Sequence, residues 1–120
     1  MNEQKSTRYF SGLQEKAVCE ALGGLQQPNS GAGKWRKGDV LIKGASMLCE
    51  CKTSVSEKNS YSIKREVLEK TKKEARSNRL SNSCLCFDFG PDTERHYVID
   101  EKTMRFLVEK LIQENESYGV

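Results

Sequence analysis

The chain has 120 residues and a formal net charge of +3, and 31% of its residues are charged against 36% apolar. Its mean hydropathy is −0.71, and it contains no apolar run of about 18 residues, the length of a membrane helix. These values predict one polar domain over 1–120, with a core of about 11–115 between flexible tails, and no membrane partner. The N-terminal segment lacks the apolar stretch of a signal peptide, which predicts a cytoplasmic protein.

Five cysteines in a chain without a secretory signal argue against a disulfide framework, because their number is odd. Four of them form two C-x-C pairs, and alternate residues of a strand point to the same side. Two such strands can bring four thiols together around a zinc ion, although structural zinc sites usually have wider C-x₂₋₄-C spacing. Buried, reduced thiols that pack as small apolar groups are the favoured interpretation. The cysteines are Cys19, Cys49, Cys51, Cys84 and Cys86.

The first predicted element is a helix over 12–23. Ser11 and Gln14 have the spacing of a capping box, and Gly23-Gly24 is typical of a helix end. The apolar side chains recur at helical spacing and are expected to face the core. They are Leu13, Ala17, Val18, Ala21 and Leu22, followed by Leu25.

A glycine-rich, basic loop separates this helix from two predicted strands. The loop contains NSGAGKWRKG, and long loops inside compact domains are often functional. It lacks the Ser or Thr that follows the lysine of a phosphate-binding P-loop, so nucleotide binding is rejected. Strands are predicted over 37–43 and 46–53, joined by a turn at Gly44, and one more short strand can form within 26–32.

The second half of the chain predicts a helix over 62–79, strands over 84–90 and 96–100, and a last helix over 101–115 that Asp100 caps. The order α-β-β-α-β-β-α indicates an α/β fold with a central sheet flanked by helices. The apolar side chains of the last helix are expected to face inward, and they are Met104, Leu107, Val108, Leu111 and Ile112.

The two strands around Gly44 carry an acidic pair and a lysine. Pairing across the turn places Asp39 opposite position 49 or 50, and Lys52 lies on the same face as Glu50. Adjacent carboxylates repel each other unless a cation neutralises them, and Mg²⁺ takes one or two carboxylates together with phosphate oxygens. The pattern fits metal-assisted phosphodiester hydrolysis, with an ammonium that balances charge. A simple salt bridge of Lys52 with either carboxylate is the structural alternative.

Two basic clusters suit a polyanion such as DNA. The second cluster also fits a solvated helix face with ion pairs such as Glu66–Lys70, and the two interpretations stay open. In the first cluster the cations are interpreted as phosphate contacts and Trp35 as a stacking group or a loop anchor. The candidate DNA-binding residues are Lys34, Trp35, Arg36 and Lys37 in the loop, and Lys64, Arg65, Lys72, Lys73 and Arg76 at the helix.

The motif GDV-x₉-E-C-K, after an early helix with glutamate and a loop containing Ser-Gly, resembles the PD-(D/E)XK nuclease superfamily over residues 11–100. More specifically, it resembles the Holliday junction resolvases of the archaeal and phage type. Gly38 stands where the superfamily name has proline. The resemblance implies a restriction-endonuclease-like fold and a third acid on the first helix. Helix geometry leaves Glu15 and Glu20 equal, whereas the family's spacing favours Glu15. It also implies that Ser30 contacts the scissile phosphate.

The expected function is therefore that of a Mg²⁺-dependent endodeoxyribonuclease, with Mn²⁺ as a second possible cofactor. Asp39 and Glu50 hold the metal with Glu15 nearby, while Lys52 positions the attacking water. Four-way DNA junctions are the expected substrate, and two symmetric cuts require a homodimer. The alternatives are a nuclease of the same fold for flaps, forks or single-stranded ends, a non-catalytic nucleic-acid-binding module, and an interaction domain that holds zinc. The small size and the resemblance suggest a phage or archaeal source.

Overall fold

The computed structural model describes residues 6–26 and 39–118, which form a mixed α/β fold with a five-stranded sheet and three helices. The mixed central sheet predicted from the sequence is confirmed, and a short first strand joins the predicted order. The helices are α1 (Thr7–Leu22), α2 (Arg65–Ser77) and α3 (Glu101–Ser117); the strands are β1 (Leu25–Gln26), β2 (Asp39–Ile42), β3 (Met47–Lys52), β4 (Asn82–Phe87) and β5 (His96–Val98).

The strands lie side by side in the order of the sequence, β1-β2-β3-β4-β5. All neighbouring pairs are antiparallel except β3 and β4, which are parallel and are connected through α2. A parallel connection needs a crossover, and a helix is its usual form. A short 3-10 turn at Lys43–Ala45 joins β2 to β3, which confirms the predicted turn.

Helix α1 begins earlier than the sequence predicts. Ser6 is the N-cap, and its side chain accepts a hydrogen bond from the Tyr9 N–H at 3.1 Å. The predicted capping box at Ser11 is wrong, because Ser11 lies inside the helix. Gly23 ends the helix with φ of 72°, a left-handed conformation that glycine adopts without strain, so the predicted C-terminus is confirmed.

One face of the sheet packs against α1. Val18 of α1 is fully buried in a cluster with Val40 and Ile42 of β2 and the four cysteines of β3 and β4. All five thiols are free, which confirms that the strand cysteines pack as small apolar groups. The predicted stripe of α1 is partly wrong, because Leu13 and Leu22 are exposed while Gln14 and Glu15 are buried.

Helix α2 packs mainly against β4 and β3 and buries Thr71 and Ala75. Its basic residues point outward, and the helix is shorter at both ends than the predicted range 62–79. Lys64 is the residue that precedes it, and Asn78 follows it.

Helix α3 differs most from its prediction. Asp100 caps it as expected and accepts a hydrogen bond from the Thr103 N–H at 2.9 Å. The expectation that its apolar residues face inward is wrong, because α3 buries no residue and makes no extensive contact with any other described helix or strand. Amphipathic spacing predicts an apolar face but does not say what covers it. In the parts of the chain that the structure describes, no helix is both long and apolar enough to cross a membrane.

Candidate active site

The centre of the site is a pair of carboxylates on neighbouring strands. Asp39 of β2 is directly opposite Glu50 of β3 in the antiparallel register, which is one of the two positions predicted, 49 and 50. Asp39 is completely inaccessible to solvent and Glu50 is 4% exposed. Buried acids are uncommon unless they are paired or bind a cation. Two buried carboxyl groups side by side in a sheet are therefore unusual and indicate a functional site.

The Lys52 ammonium lies beside the acidic pair. Its Nζ is 3.3 Å from Glu50 Oε1, and the Lys52 side chain is 44% exposed where that of Glu50 is 5% exposed. The salt bridge anticipated as the structural alternative is therefore present with Glu50. The same geometry places a cation at the boundary between a buried carboxylate and solvent, where a phosphate group can reach it.

Burial and two neighbouring carboxyl groups act together on Asp39. Burial, followed by hydrogen bonding with and charge repulsion from Glu50 and then Glu74, together raise the pKa of Asp39 to about 9. Asp39 consequently keeps a proton at neutral pH. Because a bound divalent cation can replace such a proton and neutralise neighbouring carboxylates, this all-oxygen donor set fits Mg²⁺ better than zinc.

Glu74 is a member of this acidic group that the sequence did not single out. It lies on α2, next to the buried Ala75, and its carboxyl group interacts with that of Asp39. The helix carries two other glutamates, Glu66 and Glu69, so only the packing of α2 onto the sheet distinguishes Glu74. The acidic group thus joins two strands and a helix.

The structure separates the two candidates for the third acid. Glu15 is 7% exposed and lines a cavity of about 400 Å³ together with Glu50 and Lys52. Glu20 is exposed on α1 and does not line this cavity. Of the two candidates, Glu15 is therefore the one that lies with Glu50 and Lys52.

Arg8 is a second residue that sequence reasoning missed. It lies in the first turn of α1 and lines the same cavity as Glu15, Glu50 and Lys52. Because the sequence predicted that the helix starts at residue 12, Arg8 lay outside every predicted element. No pattern in the sequence therefore linked Arg8 to the site. Its guanidinium group is suited to a bidentate contact with phosphate.

A buried amide holds α1 against the end of β3. Gln14 donates from Nε2 to the Lys52 carbonyl at 2.7 Å and to Asp88 Oδ2 at 3.0 Å. The other oxygen of Asp88 accepts from Thr53 Oγ1 at 2.6 Å and from the Gly90 N–H at 3.1 Å. These bonds place α1, and with it Glu15, relative to the strand that carries Glu50 and Lys52.

No group of three or more His, Cys, Asp or Glu side chains within residues 6–26 and 39–118 has the arrangement of a metal site. This includes the strand cysteines, although Cys49 is opposite Cys84 and Cys51 is opposite Cys86. Hydrogen bonding with Cys49 and burial raise the pKa of the Cys84 thiol, which disfavours the thiolate that zinc binds. The zinc interpretation therefore gains no support from the described residues.

The predicted DNA contacts fall into two groups. The candidates at α2 are all exposed, and none of them lines the cavity with Glu50 and Lys52. Arg65, Lys72 and Arg76 line other cavities, beside β4. Arg65 pairs with Glu69 at 2.8 Å, and Lys72 Nζ is 4.0 Å from Asp100 Oδ2. The remaining candidates lie outside the described residues, namely Ser30, Lys34, Trp35, Arg36 and Lys37.

No protein family model matches the chain, and no curated protein and no solved structure is significantly similar to it. The functional argument therefore depends on the residues and geometry of the site itself.

Proposed function

We propose that this chain is a divalent-metal-dependent endodeoxyribonuclease with a restriction-endonuclease-like fold that hydrolyses phosphodiesters in branched DNA. One observation carries the proposal. The β2–β3 register sets Asp39 opposite Glu50, and Lys52 Nζ lies 3.3 Å from Glu50 at the edge of an open cavity. Two carboxylates and an ammonium in this order fit metal-assisted attack of water on a phosphodiester.

Two acidic residues of neighbouring strands would hold the cation, and a third acid lies nearby on a helix. Asp39 and Glu50 would hold it, and Glu15 from α1 borders the same cavity as Glu50. When bound, Mg²⁺ or Mn²⁺ polarises a phosphate oxygen and makes a bound water a better nucleophile. Lys52 orients the attacking water and offsets the negative charge that grows on the phosphate in the transition state.

The surroundings of the cavity fit a large anionic substrate. Lys52 reaches solvent, and Arg8 of α1 adds a second cation to the lining of the same cavity. The basic residues of α2 and the basic sequence at 34–37 supply further positive charge of the kind that binding to a DNA backbone requires. A four-way junction offers several such backbones at once, which supports branched DNA as the substrate class.

The test is the incubation of the full chain with labelled DNA in the presence of Mg²⁺, of Mn²⁺, or of a chelator. The substrates are a four-way junction, a flap, a fork, a single strand and a linear duplex of the same sequence. We expect junction cleavage that requires the metal. Preference for another branched or single-stranded substrate would correct the substrate class, and absence of cleavage on every substrate would overturn the enzymatic proposal.

Lys52→Ala tests the mechanism within the same assay. Removal of one group that stabilises transition-state charge typically slows the chemical step by about 10²–10³-fold. The matched control is Lys43→Ala, an exposed lysine at the turn on the other end of the hairpin, which should cleave normally. Equal rates for Lys52→Ala and the wild type would remove Lys52 from the mechanism.

A further inference from the structure

A second cavity lies beside the candidate active site and is named here the side cleft. It has a volume of about 310 Å³ and is lined by residues of α1, by Thr53 after β3 and by the connection between β4 and β5. Thr53 also lines the cavity that contains Glu50 and Lys52. Arg8 and Tyr9 are consecutive in α1, and Arg8 lines the active-site cavity whereas Tyr9 lines the side cleft. The two cavities are therefore adjacent.

The walls of the side cleft are largely apolar, and two of them are aromatic. Tyr9 is 44% exposed and Leu13 is 50% exposed, and Phe10 and Pro91 line the same cleft. The rings of Tyr9 and Phe10 meet edge to face, with their centroids 5.2 Å apart. Apolar, partly aromatic cavities of about 300–1,000 Å³ with a few polar groups are typical of sites for small ligands, and aromatic side chains provide the surfaces on which nucleobases stack.

The buried polar groups of the side cleft have their hydrogens in use and leave an acceptor over. Gln14 is 5% exposed, and its Nε2 donates to the Lys52 carbonyl at 2.7 Å and to Asp88 Oδ2 at 3.0 Å. The Thr53 hydroxyl donates to Asp88 Oδ1 at 2.6 Å. Gln14 Oε1 is buried and accepts no hydrogen bond from any residue that the structure describes. Since buried polar atoms nearly always have a partner, this oxygen indicates a ligand that donates a hydrogen bond.

The charges of the side cleft do not suit a phosphate group. The acidic and basic side chains that line it are Asp88, Asp92 and Arg95, so acids outnumber cations. The neighbouring cavity offers Arg8 and Lys52, which suit a phosphate better. A neutral, flat ring with a hydrogen-bond donor fits the side cleft, and a nucleobase is such a ring.

We propose that the side cleft binds one unstacked nucleobase of the DNA substrate and favours a base with an exocyclic amino group. The ring packs on Tyr9, and the amino group donates to Gln14 Oε1. Adenine and cytosine carry such a group, whereas thymine does not. The inference rests on the proposed function, because the ligand class is that of the DNA substrate. It adds a reason for preferring branched DNA, since a base is unstacked at least cost where the duplex is already interrupted.

The first test measures binding of the full chain to short, fluorescently labelled single strands of thymidine by anisotropy. The probes carry adenine, cytosine, thymine or unsubstituted purine at the central position, and purine differs from adenine only by the missing amino group. Ca²⁺ replaces Mg²⁺ because both take oxygen ligands, and gel electrophoresis verifies that the probes stay intact. We expect the adenine and cytosine probes to bind about fivefold or more tightly than the purine and thymine probes, because the latter leave Gln14 Oε1 without a donor.

Equal affinities for the adenine and purine probes would overturn the proposal. So would the absence of binding of every probe at about 100 µM protein.

The second test locates the base by Tyr9→Ala, which should weaken binding of the adenine probe by about tenfold because it removes a stacking surface. The helix cap at Ser6 is kept, since it accepts from the backbone N–H of residue 9. The matched control is Tyr118→Ala, an exposed tyrosine after α3 that does not line the side cleft and should bind as the wild type does. Circular dichroism verifies that both variants are folded. Equal affinities of the two variants would show that the base does not bind in the side cleft.

These tests fail separately from that of the nuclease proposal. A chain that cuts DNA but binds the adenine and purine probes equally keeps its nuclease activity and loses the base site. A chain that distinguishes the probes but cuts no DNA keeps the base site and loses the nuclease activity.

Discussion

At the scale of single residues, the candidate site combines features that stability alone does not favour. A fully buried acid, Asp39, lies opposite a nearly buried acid, Glu50, and a third carboxyl group, Glu74, interacts with the first. Such arrangements are destabilising in the absence of a cation, and functional sites commonly tolerate that cost. The predictions for Asp39 and Arg8 test whether these residues serve function at the cost of stability.

Asp39→Asn should stabilise the metal-free protein at alkaline pH and abolish cleavage. In the folded state Asp39 keeps its proton up to about pH 9, whereas the unfolded chain releases it near pH 4. The folded state therefore binds more protons between these values, so the stability contributed by this group is complete below about pH 4 and is lost as the pH rises toward 9. Asparagine does not titrate and removes this loss.

The measurement is the melting temperature in a chelator from pH 5 to 8.5. The wild type should fall relative to Asp39→Asn, by on the order of 5 °C at the alkaline end. Added Mg²⁺ should then raise the wild-type melting temperature at pH 8.5 more than that of the variant, because the cation replaces the proton. Parallel pH profiles for the two proteins would contradict the titration assigned to Asp39.

Arg8→Ala should weaken substrate binding more than Arg65→Ala. Arg8 lines the cavity with Glu50 and Lys52, while Arg65 lines a different cavity and pairs with Glu69. Loss of one guanidinium contact with phosphate corresponds to about a tenfold increase in KM with little change in kcat. Kinetics on the preferred DNA substrate check this, with exposed Lys16→Ala on the same helix as the control. Equal effects of Arg8→Ala and Arg65→Ala would show that the cavity does not orient the DNA.

At the scale of elements, the position of α1 depends on a polar contact rather than on its apolar stripe. Leu13 and Leu22 are exposed, whereas the Gln14 amide is buried and bonds to β3 and to Asp88. A hydrogen bond between buried groups contributes modestly to the stability of the fold. The loss of one partner costs more, because the other group stays buried without a hydrogen bond. This contact also determines where Glu15 lies.

Gln14→Met should therefore destabilise the fold by about 1–3 kcal/mol, because it keeps the side-chain volume but leaves the Lys52 carbonyl and Asp88 Oδ2 without their donor. Urea unfolding measures the change, with Lys16→Ala as an exposed control on the same helix. An unchanged unfolding midpoint would mean that solvent replaces the amide without loss.

At the scale of the whole molecule, one face of the sheet holds the cluster with Val18 and the strand cysteines, and the opposite face holds the acids together with the buried Leu48 and Leu85. Alternation along β2 and β3 sends Val40 and Cys49 to the α1 side and Asp39 and Glu50 to the other. The four strand cysteines belong to the core, and their thiols become accessible only when the sheet opens.

Thiol labelling should thus report the opening of the whole sheet. In the native protein only Cys19, which is half-buried on α1, should react with a thiol reagent at an appreciable rate, and all five cysteines should react in denaturant. Burial also raises the pKa of Cys19, so its reaction should accelerate with pH. Fast native labelling of more than one thiol would show that the sheet opens locally at β3 or β4.

The sequence by itself determined the helices, the strands and the hairpin that carries the acidic pair, because these depend on local periodicity and on a short turn. The Gly44 turn predicted that Asp39 faces position 49 or 50, and the observed register gives Glu50. Asp100 as the cap of α3 and Gly23 as the end of α1 were equally local signals.

The tertiary structure alone decided which distant residues meet. The choice of Glu15 over Glu20, the presence of Glu74 and Arg8 near the site, and the role of Gln14 all depend on how α1 and α2 are rotated on the sheet. The same is true of α3, whose spacing predicts an apolar face but does not predict what covers that face. Local patterns determine which side of an element is apolar, but only long-range packing determines what lies against that side.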